Sequence, residues 1–199
     1  MLKELAQDLV ALIFDWGYLG IFLLMTVESS FIPFPSEIIL IPAGYLASEG
    51  KMSLTLIMAS GLGGSMVGAF INYYLALLLG RKILVKYGKY FFIKESALDK
   101  MDNYFKKHGA ISTFTGRLIP GIRQLISIPA GLSKMHLGIF SFYTALGAGL
   151  WALILVLLGY YIGENQELID IYLKQVIYVI LISLVMLGFI YYKYQKNKG

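Results

Sequence analysis

The chain has 199 residues, of which 58% are hydrophobic and only 15% are charged, and its mean hydropathy is +0.70. This composition is more apolar than the core of a soluble domain requires, so it excludes an ordinary soluble globular protein. The absence of cysteine excludes disulfides and thiol chemistry. The net charge of +5 does not indicate nucleic acid as a partner, because the basic residues cluster where a membrane protein meets the cytoplasm.

The first predicted elements are an interfacial amphipathic helix over residues 2–14 and a membrane span between about Gly17 and Ser30. Glu4 and Asp8 lie where a signal sequence would be basic, so the sequence predicts that this segment belongs to the mature protein. Three further uncharged runs are long enough to cross a hydrocarbon core of about 30 Å as helices. They cover residues 53–80, 137–163 and 175–192.

The charges between these spans are distributed unevenly. Lysines and arginines are concentrated in residues 81–107 and at the C-terminus, whereas the loop at 164–170 is acidic. The positive-inside tendency therefore predicts cytoplasmic N- and C-termini, a cytoplasmic amphipathic connector over 81–108, and an outer loop at 164–170. Since one span, 137–163, already joins the two sides, segment 110–135 must enter from the cytoplasm and return to it.

An internal repeat supports this interpretation. The letters IPAG occur at 41–44 and again at 128–131, an offset of 87 residues. With this offset, 30–48 and 117–135 are identical at seven of nineteen positions. In each copy we expect a proline to break the chain early and Pro-Ala-Gly to break it again nine residues later, which leaves pieces too short to cross a membrane. The alternative, two ordinary proline-kinked helices, conflicts with the charge asymmetry.

The sequence thus predicts an all-α polytopic membrane protein. It would have about four transmembrane helices plus two re-entrant helical hairpins in an inverted repeat, with an interfacial amphipathic N-terminal helix. The expected parts of this single domain, 1–199, are repeat 1 at about 10–80 with hairpin 31–50, the connector 81–108, repeat 2 at about 109–163 with hairpin 110–135, and a C-terminal helix at 171–192.

Two arginines, Arg117 and Arg123, lie in the otherwise apolar run GRLIPGIRQLISIPAG. Arginine at membrane depth is costly and usually faces a partner or a water-filled cavity, and its planar fork matches two phosphate oxygens. Together with Ser127 they form a predicted phosphate site. Glu28 and Glu37 have two interpretations that both stay open: structural ion pairs with the arginines, or carboxyl groups that exchange protons as an anion binds and leaves.

Two motifs carry a resemblance to a known family. The E-x4-P-x-P-x-E of residues 28–37 and the F-x-GR-x-x-PG-x-R-x3-S-x-PAG-x3-M of residues 114–135 resemble the DedA family of bacterial membrane proteins, also called the SNARE-associated or VTT-domain family. This resemblance implies two re-entrant hairpins, transport of lipid carriers across the bacterial plasma membrane, dependence on the proton motive force in several members, and functional roles for Glu28, Glu37, Arg117 and Arg123. The chain is most similar to members that recycle undecaprenyl phosphate for peptidoglycan synthesis.

The favoured function is therefore a flippase for a polyprenyl phosphate, with lipids as its partners and no cofactor, metal or nucleic acid. A phospholipid scramblase or a proton-coupled exporter is the main alternative. A lipid phosphatase is less favoured, because His108 and His136 fit no lipid-phosphatase pattern.

Several weaker features complete the expectations. Asn72 is predicted to make an interhelical hydrogen bond or a polar contact with substrate. Gly64 and Gly68 form a GxxxG that favours close packing inside the fold, although a homodimer stays open. The two tryptophans are expected mostly in interfacial belts.

Overall fold

A computed structural model describes residues 2–30, 35–87, 95–119 and 121–196. This described part of the chain forms seven helices and no strand, as the predicted all-α class requires. In chain order the helices are α1 (Leu2–Glu28), α2 (Glu37–Ser48), α3 (Leu54–Tyr87), α4 (Glu95–Leu118), α5 (Ser127–Leu132), α6 (Leu137–Ile162) and α7 (Gln166–Lys196). Parts of both predicted hairpins, 31–34 and Pro120, and residues 88–94 of the predicted connector lie outside the described residues.

Two of the described helices are long and apolar enough to cross a membrane. They are Leu54–Gly80 within α3 and Leu137–Ile162, which is α6, with mean hydropathies of 1.7 and 2.0. At 1.5 Å per residue each is about 40 Å long, which exceeds the hydrocarbon thickness. These helices agree with the predicted spans at 53–80 and 137–163. Of the other two predicted spans, residues 17–28 lie in α1 and residues 175–192 lie in α7, and the crossing of both stays a prediction.

Three of the helices bend at glycines with positive φ. These are Gly17 in α1 at 56°, Gly80 in α3 at 67° and Gly109 in α4 at 37°. Glycine reaches this region without the steric penalty that a Cβ imposes, so each bend needs this residue. The bends coincide with boundaries predicted from the sequence: the start of the first span, the end of the second, and the junction of the connector with the second hairpin.

The Pro-Ala-Gly segments do not break their helices, and that expectation is wrong. Pro42 lies inside α2, which continues to Ser48, and Pro129 is the third residue of α5. Pro129 is tolerated because it lies in the first turn of α5, where a backbone N–H has no acceptor within the helix, whereas Pro42 lies in the helix interior and removes one backbone donor. In α2 the buried side chains Leu40 and Leu46 lie on either side of Pro42 and hold the helix in the core.

The repeated glycine serves packing between the two repeats. A Cβ built on Gly44 would lie 2.1 Å from the carbonyl oxygen of Val156 in α6. A Cβ on Gly131 would lie 2.2 Å from the carbonyl oxygen of Tyr73 in α3. Only glycine permits such backbone contact, so α2 and α5 each pack against the long helix of the other repeat.

The GxxxG motif brings α3 against α1. A Cβ on Gly64 would lie 2.3 Å from the Phe22 carbonyl oxygen, and one on Gly68 would lie 2.4 Å from that of Thr26. Both glycines are therefore used inside the fold, as the sequence indicated. This contact positions the end of α1, where Glu28 lies.

Candidate functional site

The centre of the candidate site is a buried ion pair between the end of α1 and the segment before α5. Arg123 Nη2 lies 2.6 Å from Glu28 Oε1, and both side chains are largely buried. The same carboxylate accepts hydrogen bonds from Gln124 Nε2, at 3.3 Å to Oε1, and from Ser29 Oγ, at 2.9 Å to Oε2. Charge-assisted bonds of this kind are about twice as strong as neutral ones, so Glu28 holds Arg123 firmly in this conformation.

Arg117, in the last turn of α4, is held differently. Its Nη2 donates to Ser127 Oγ at 2.9 Å, and only 3% of the residue is exposed. Its Nε has no hydrogen-bond partner, and among the described residues no carboxylate lies within ion-pair distance of it. Gly147 of α6 provides the space, since a Cβ there would lie 2.6 Å from that of Arg117. Arg117 is therefore a buried cation that forms no direct ion pair with a carboxylate among the described residues.

Both arginines line one small cavity beside the ion pair. It offers about 20 Å³, which is room for a single water molecule. Its walls come from α1, α3, α6 and the second hairpin, and the lining side chains are Met25, Glu28, Ser29, Ser65, Arg117, Arg123, Ala148, Trp151 and Ala152.

Trp151 lines this cavity, and the sequence interpretation did not predict its place in the site. It is 3% exposed, its ring centroid lies 5.4 Å from Arg123 Cζ, and its Nε1 donates to Ser36 Oγ at 3.2 Å. The expectation of an interfacial tryptophan is thus wrong for Trp151, because Ser36 satisfies its N–H inside the core. Trp16, by contrast, is 55% exposed. Trp151 lies near the middle of an apolar span, and this position could have distinguished it in the sequence from an interfacial tryptophan such as Trp16.

Asn72 of α3 ties together the segments that carry the ion pair. Its Nδ2 lies 3.3, 2.8 and 3.1 Å from the carbonyl oxygens of Ser29, Ser30 and Gln124. The first two follow Glu28 directly, and the third follows Arg123. Asn72 thus bonds from α3 to the backbone of two turns outside the helices, and its predicted contact with substrate stays a prediction.

Glu37 lies apart from this cluster. It is the first residue of α2, and its Oε2 is buried without a hydrogen-bond partner among the described residues. It forms no ion pair there with either arginine and does not line the cavity. When the two repeats are aligned with the offset of 87, Glu37 is equivalent to Gln124 and Ser36 is equivalent to Arg123. Ser36 and Gln124, which the sequence interpretation did not single out, both belong to the polar network.

A second ion pair lies at the surface and provides a contrast. Lys51 Nζ lies 2.7 Å from Glu49 Oε2 in the exposed turn after α2. The hydrogen bond from Lys51 lowers the pKa of Glu49, and the same contact raises the pKa of Lys51. Exposed pairs of this kind contribute little stability, because water already solvates both groups.

The buried cluster suits an anion. It combines two guanidinium groups with one carboxylate, and it supplies further donors from Ser127 and from the free Arg117 Nε. Within the described ranges, no group of three or more His, Cys, Asp and Glu side chains is arranged to hold a metal ion. The fold and the site together define an all-helical membrane protein with a buried arginine–glutamate centre.

Comparison with known proteins places the chain in a family. The model of the VTT domain matches residues 34–161, and the chain belongs to this family, which is the DedA family suggested by its motifs. It is 39% identical to the uncharacterised membrane protein YkoX of Bacillus subtilis, over 99% of this chain and 87% of that protein. It is 36% identical to undecaprenyl phosphate transporter A of B. subtilis, over 82% and 81%. It is 34% identical to an alkaline phosphatase-like protein of Lactococcus lactis, over 93% and 92%. No solved structure matches.

Proposed function

We propose that this protein moves a polyprenyl phosphate, with undecaprenyl phosphate as the expected carrier, across the bacterial plasma membrane. The observation that carries the proposal is the state of Arg117, which is buried, forms no direct ion pair within the described part of the chain, and lines the same cavity as the paired Arg123. The name of the B. subtilis relative as an undecaprenyl phosphate transporter supports the choice of substrate.

The energetics favour an anionic ligand at Arg117. A buried charge without its partner destabilises a protein by about 3–5 kcal/mol, and a bound anion would remove most of that penalty. Arg117, Arg123 and Glu28 leave one positive charge uncompensated. A phosphate group meets this need because its oxygens accept two parallel bonds from one guanidinium, and Ser127 offers a hydroxyl beside it.

The ion pair between Glu28 and Arg123 provides a means of proton coupling. While Glu28 is ionised it holds Arg123, so only Arg117 is available to phosphate. Protonation of Glu28 would weaken that bond and release Arg123 as the second arm of the clamp. Phosphate affinity should therefore rise as Glu28 gains its proton and fall as it loses it. Glu37 lies outside the cavity, at the first residue of α2, so any part that it plays in proton coupling would be exerted there and not at the phosphate.

The described conformation is closed to a lipid head group. A phosphate is several times larger than the single water molecule that the cavity can hold. Binding then requires the hairpins to move apart on one side of the membrane, as expected of a transporter with its site between two inverted repeats.

For the membrane arrangement we propose the predicted one: four crossing helices, two re-entrant hairpins, and cytoplasmic termini. The lengths of the hairpin helices support it. α2 has 12 residues and α5 has six, so even α2 is only about 18 Å long, too short to cross. The repeats would be 10–80 and 109–163, joined by the connector 81–108.

Single cysteines test this arrangement, because the native chain has none. With an impermeant thiol reagent on intact cells, Lys51→Cys and Glu167→Cys should react, whereas Lys94→Cys and Lys196→Cys should react only after permeabilisation. Reaction of positions 94 and 167 from the same side would contradict the re-entrant assignment of 110–135.

The function is tested with the purified protein in vesicles that contain undecaprenyl phosphate. Arg117→Gln and Arg117→Lys should each weaken lipid phosphate binding by at least about tenfold, since lysine keeps the charge but loses the fork. Lys51→Gln is the matched control, because it removes one positive charge outside the site. Glu28→Gln, which mimics the protonated carboxyl, should bind at least as tightly as the wild type and lose the dependence of binding on pH. The phosphate itself gains a proton near pH 6, so the pH profiles of wild type and variant must be compared directly.

The same vesicles separate the alternative functions. Transbilayer movement of the polyprenyl phosphate without release of inorganic phosphate supports the proposal. Release of inorganic phosphate would identify a lipid phosphatase, the activity suggested by the name of the L. lactis relative. Equal movement of phospholipids and of undecaprenol would identify a scramblase.

A further inference from the structure

Two residues that are equivalent in the two repeats contact the same side chain, that of Trp151. Ser36 and Arg123 are separated by the repeat offset of 87, and both contact Trp151. The residues after them, Glu37 and Gln124, are likewise equivalent in the repeat. Trp151 belongs to α6, which packs against α2 of the first hairpin and α4 of the second. The ring therefore lies where the two hairpins meet.

Its two contacts use different parts of the side chain. The face of the indole lies against the Arg123 guanidinium, 5.4 Å from centroid to Cζ. The Nε1–H donates to Ser36 Oγ at 3.2 Å, and Ser36 is fully buried directly before the first residue of α2. A buried indole N–H without an acceptor is unfavourable, so Ser36 and the ring must move together.

We propose that Trp151 is a positioning residue of the anion site that couples Arg123 in the second hairpin to Ser36 in the first. A cation–π contact depends on the charge above the ring and not on which acceptor the guanidinium bonds, so Arg123 stays on the ring when it changes its partner from Glu28 to a phosphate. Any displacement of Arg123 then shifts the ring, and the N–H transmits that shift to the start of α2. The role toward phosphate rests on the proposed function, whereas the coupling of the hairpins does not.

The first experiment measures binding of geranylgeranyl phosphate, a short polyprenyl monophosphate, with geranylgeraniol as the control. Trp151→Leu removes the ring that positions Arg123 and should weaken binding by about tenfold, because the guanidinium must then be ordered when the phosphate binds. Trp151→Phe keeps an aromatic face and should restore most of that loss. Arg117 should still bind in both variants, because the recorded cation–π contact with the ring is that of Arg123. Binding by Trp151→Leu within about twofold of wild type would overturn the positioning role.

The second experiment requires no lipid. Ile38→Cys places one thiol at the partly exposed start of α2 in a chain that has no other. Glu28→Gln, which releases Arg123 from its ion pair, should change the alkylation rate of that thiol by about threefold. Trp151→Phe should abolish the change, and so should Ser36→Ala, which removes the same hydrogen bond from the other end.

The outcomes of the two experiments are distinct. If Glu28→Gln leaves the rate at position 38 unchanged, or changes it equally with and without the indole N–H, the coupling is overturned. If the wild-type protein binds no polyprenyl phosphate, the proposed function fails, and the lipid-free experiment still decides the coupling. Because Trp151→Phe is a small change in α6 and Ser36→Ala is a small change directly before α2, a folding defect in one leaves the other to give the result.

Discussion

The two hairpins share a backbone design but carry different chemistry. In each, the glycine of the repeated IPAG lies against a backbone carbonyl of the long helix from the other repeat, Val156 for Gly44 and Tyr73 for Gly131. The polar side chains differ completely: the second hairpin contributes both arginines, and the first contributes Ser36 and Glu37. Packing is thus symmetric, whereas charge is not.

This difference shows where a functional site can arise in a repeated fold. The Glu28 carboxylate is at the end of α1, in the first repeat, and its partner Arg123 is in the second. Among the described residues neither half holds a buried ion pair by itself, so the centre forms where the end of α1 meets the segment before α5. The equivalent glycines, Gly44 and Gly131, determine how closely the repeats pack, and the side chains that differ between the repeats determine the charge of the site.

The largest expected effect comes from replacing the equivalent glycines. Gly44→Ala and Gly131→Ala each place a Cβ within 2.1 or 2.2 Å of a backbone oxygen, and a helix backbone cannot yield as a side chain can. Each variant should lose at least about 3 kcal/mol of stability, measured by thermal unfolding in detergent. The two losses should be similar if the hairpins are equivalent in packing.

Gly63→Ala is the matched control for both variants. A Cβ at Gly63 would lie 3.4 Å from the Phe22 ring, which is an ordinary contact. Its effect should be near zero or slightly stabilising, because alanine favours the helix. A large loss for one of Gly44 and Gly131 with tolerance at the other would break the packing equivalence of the hairpins.

Much of this architecture was predictable because it depends on local patterns. Hydropathy located the long helices α3 and α6, and the 87-residue offset located the equivalent segments that contain the short helices α2 and α5. The effect of Pro42 was not predictable in the same way. Its local preference is to break a helix, but buried side chains on both sides hold α2 together, and that packing is set by residues more than a hundred positions away in α6.

The candidate site was predictable in its residue types and not in its pairing. Arg117, Arg123 and Glu28 are conspicuous because charge is rare in apolar segments, and the structure brings all three to one cavity. Which arginine pairs with Glu28, and that Glu37 stands apart, depends on where the end of α1 meets the segment before α5. Gln124 and Trp151 were missed because a neutral amide and an aromatic ring do not stand out in a sequence with 15 tyrosines and 12 phenylalanines.

The ends of the two hairpin helices show a smaller departure from symmetry. Both helices close with the same pair of bonds: Gly50 N–H to Ala47 O and Lys51 N–H to Leu46 O in the first, Lys134 N–H to Gly131 O and Met135 N–H to Ala130 O in the second. This is the Schellman pattern, in which one residue takes a left-handed conformation. Gly50 does so with φ of 73°, whereas Lys134 does so with φ of 53° and carries a side chain.

The smallest expected effect follows from that exchange of glycine for lysine. A side chain in the left-handed region costs about 1 kcal/mol, so Lys134→Gly should raise stability by about that amount and Gly50→Lys should lower it similarly. Lys134→Ala separates backbone strain from charge, because alanine removes the ammonium group and keeps the Cβ. We expect Lys134→Ala to leave the thermal midpoint nearly unchanged while Lys134→Gly increases it by a few degrees. Equal increases for alanine and glycine would attribute the effect to the charge of Lys134, and the helix ends would then differ in electrostatics and not in backbone strain.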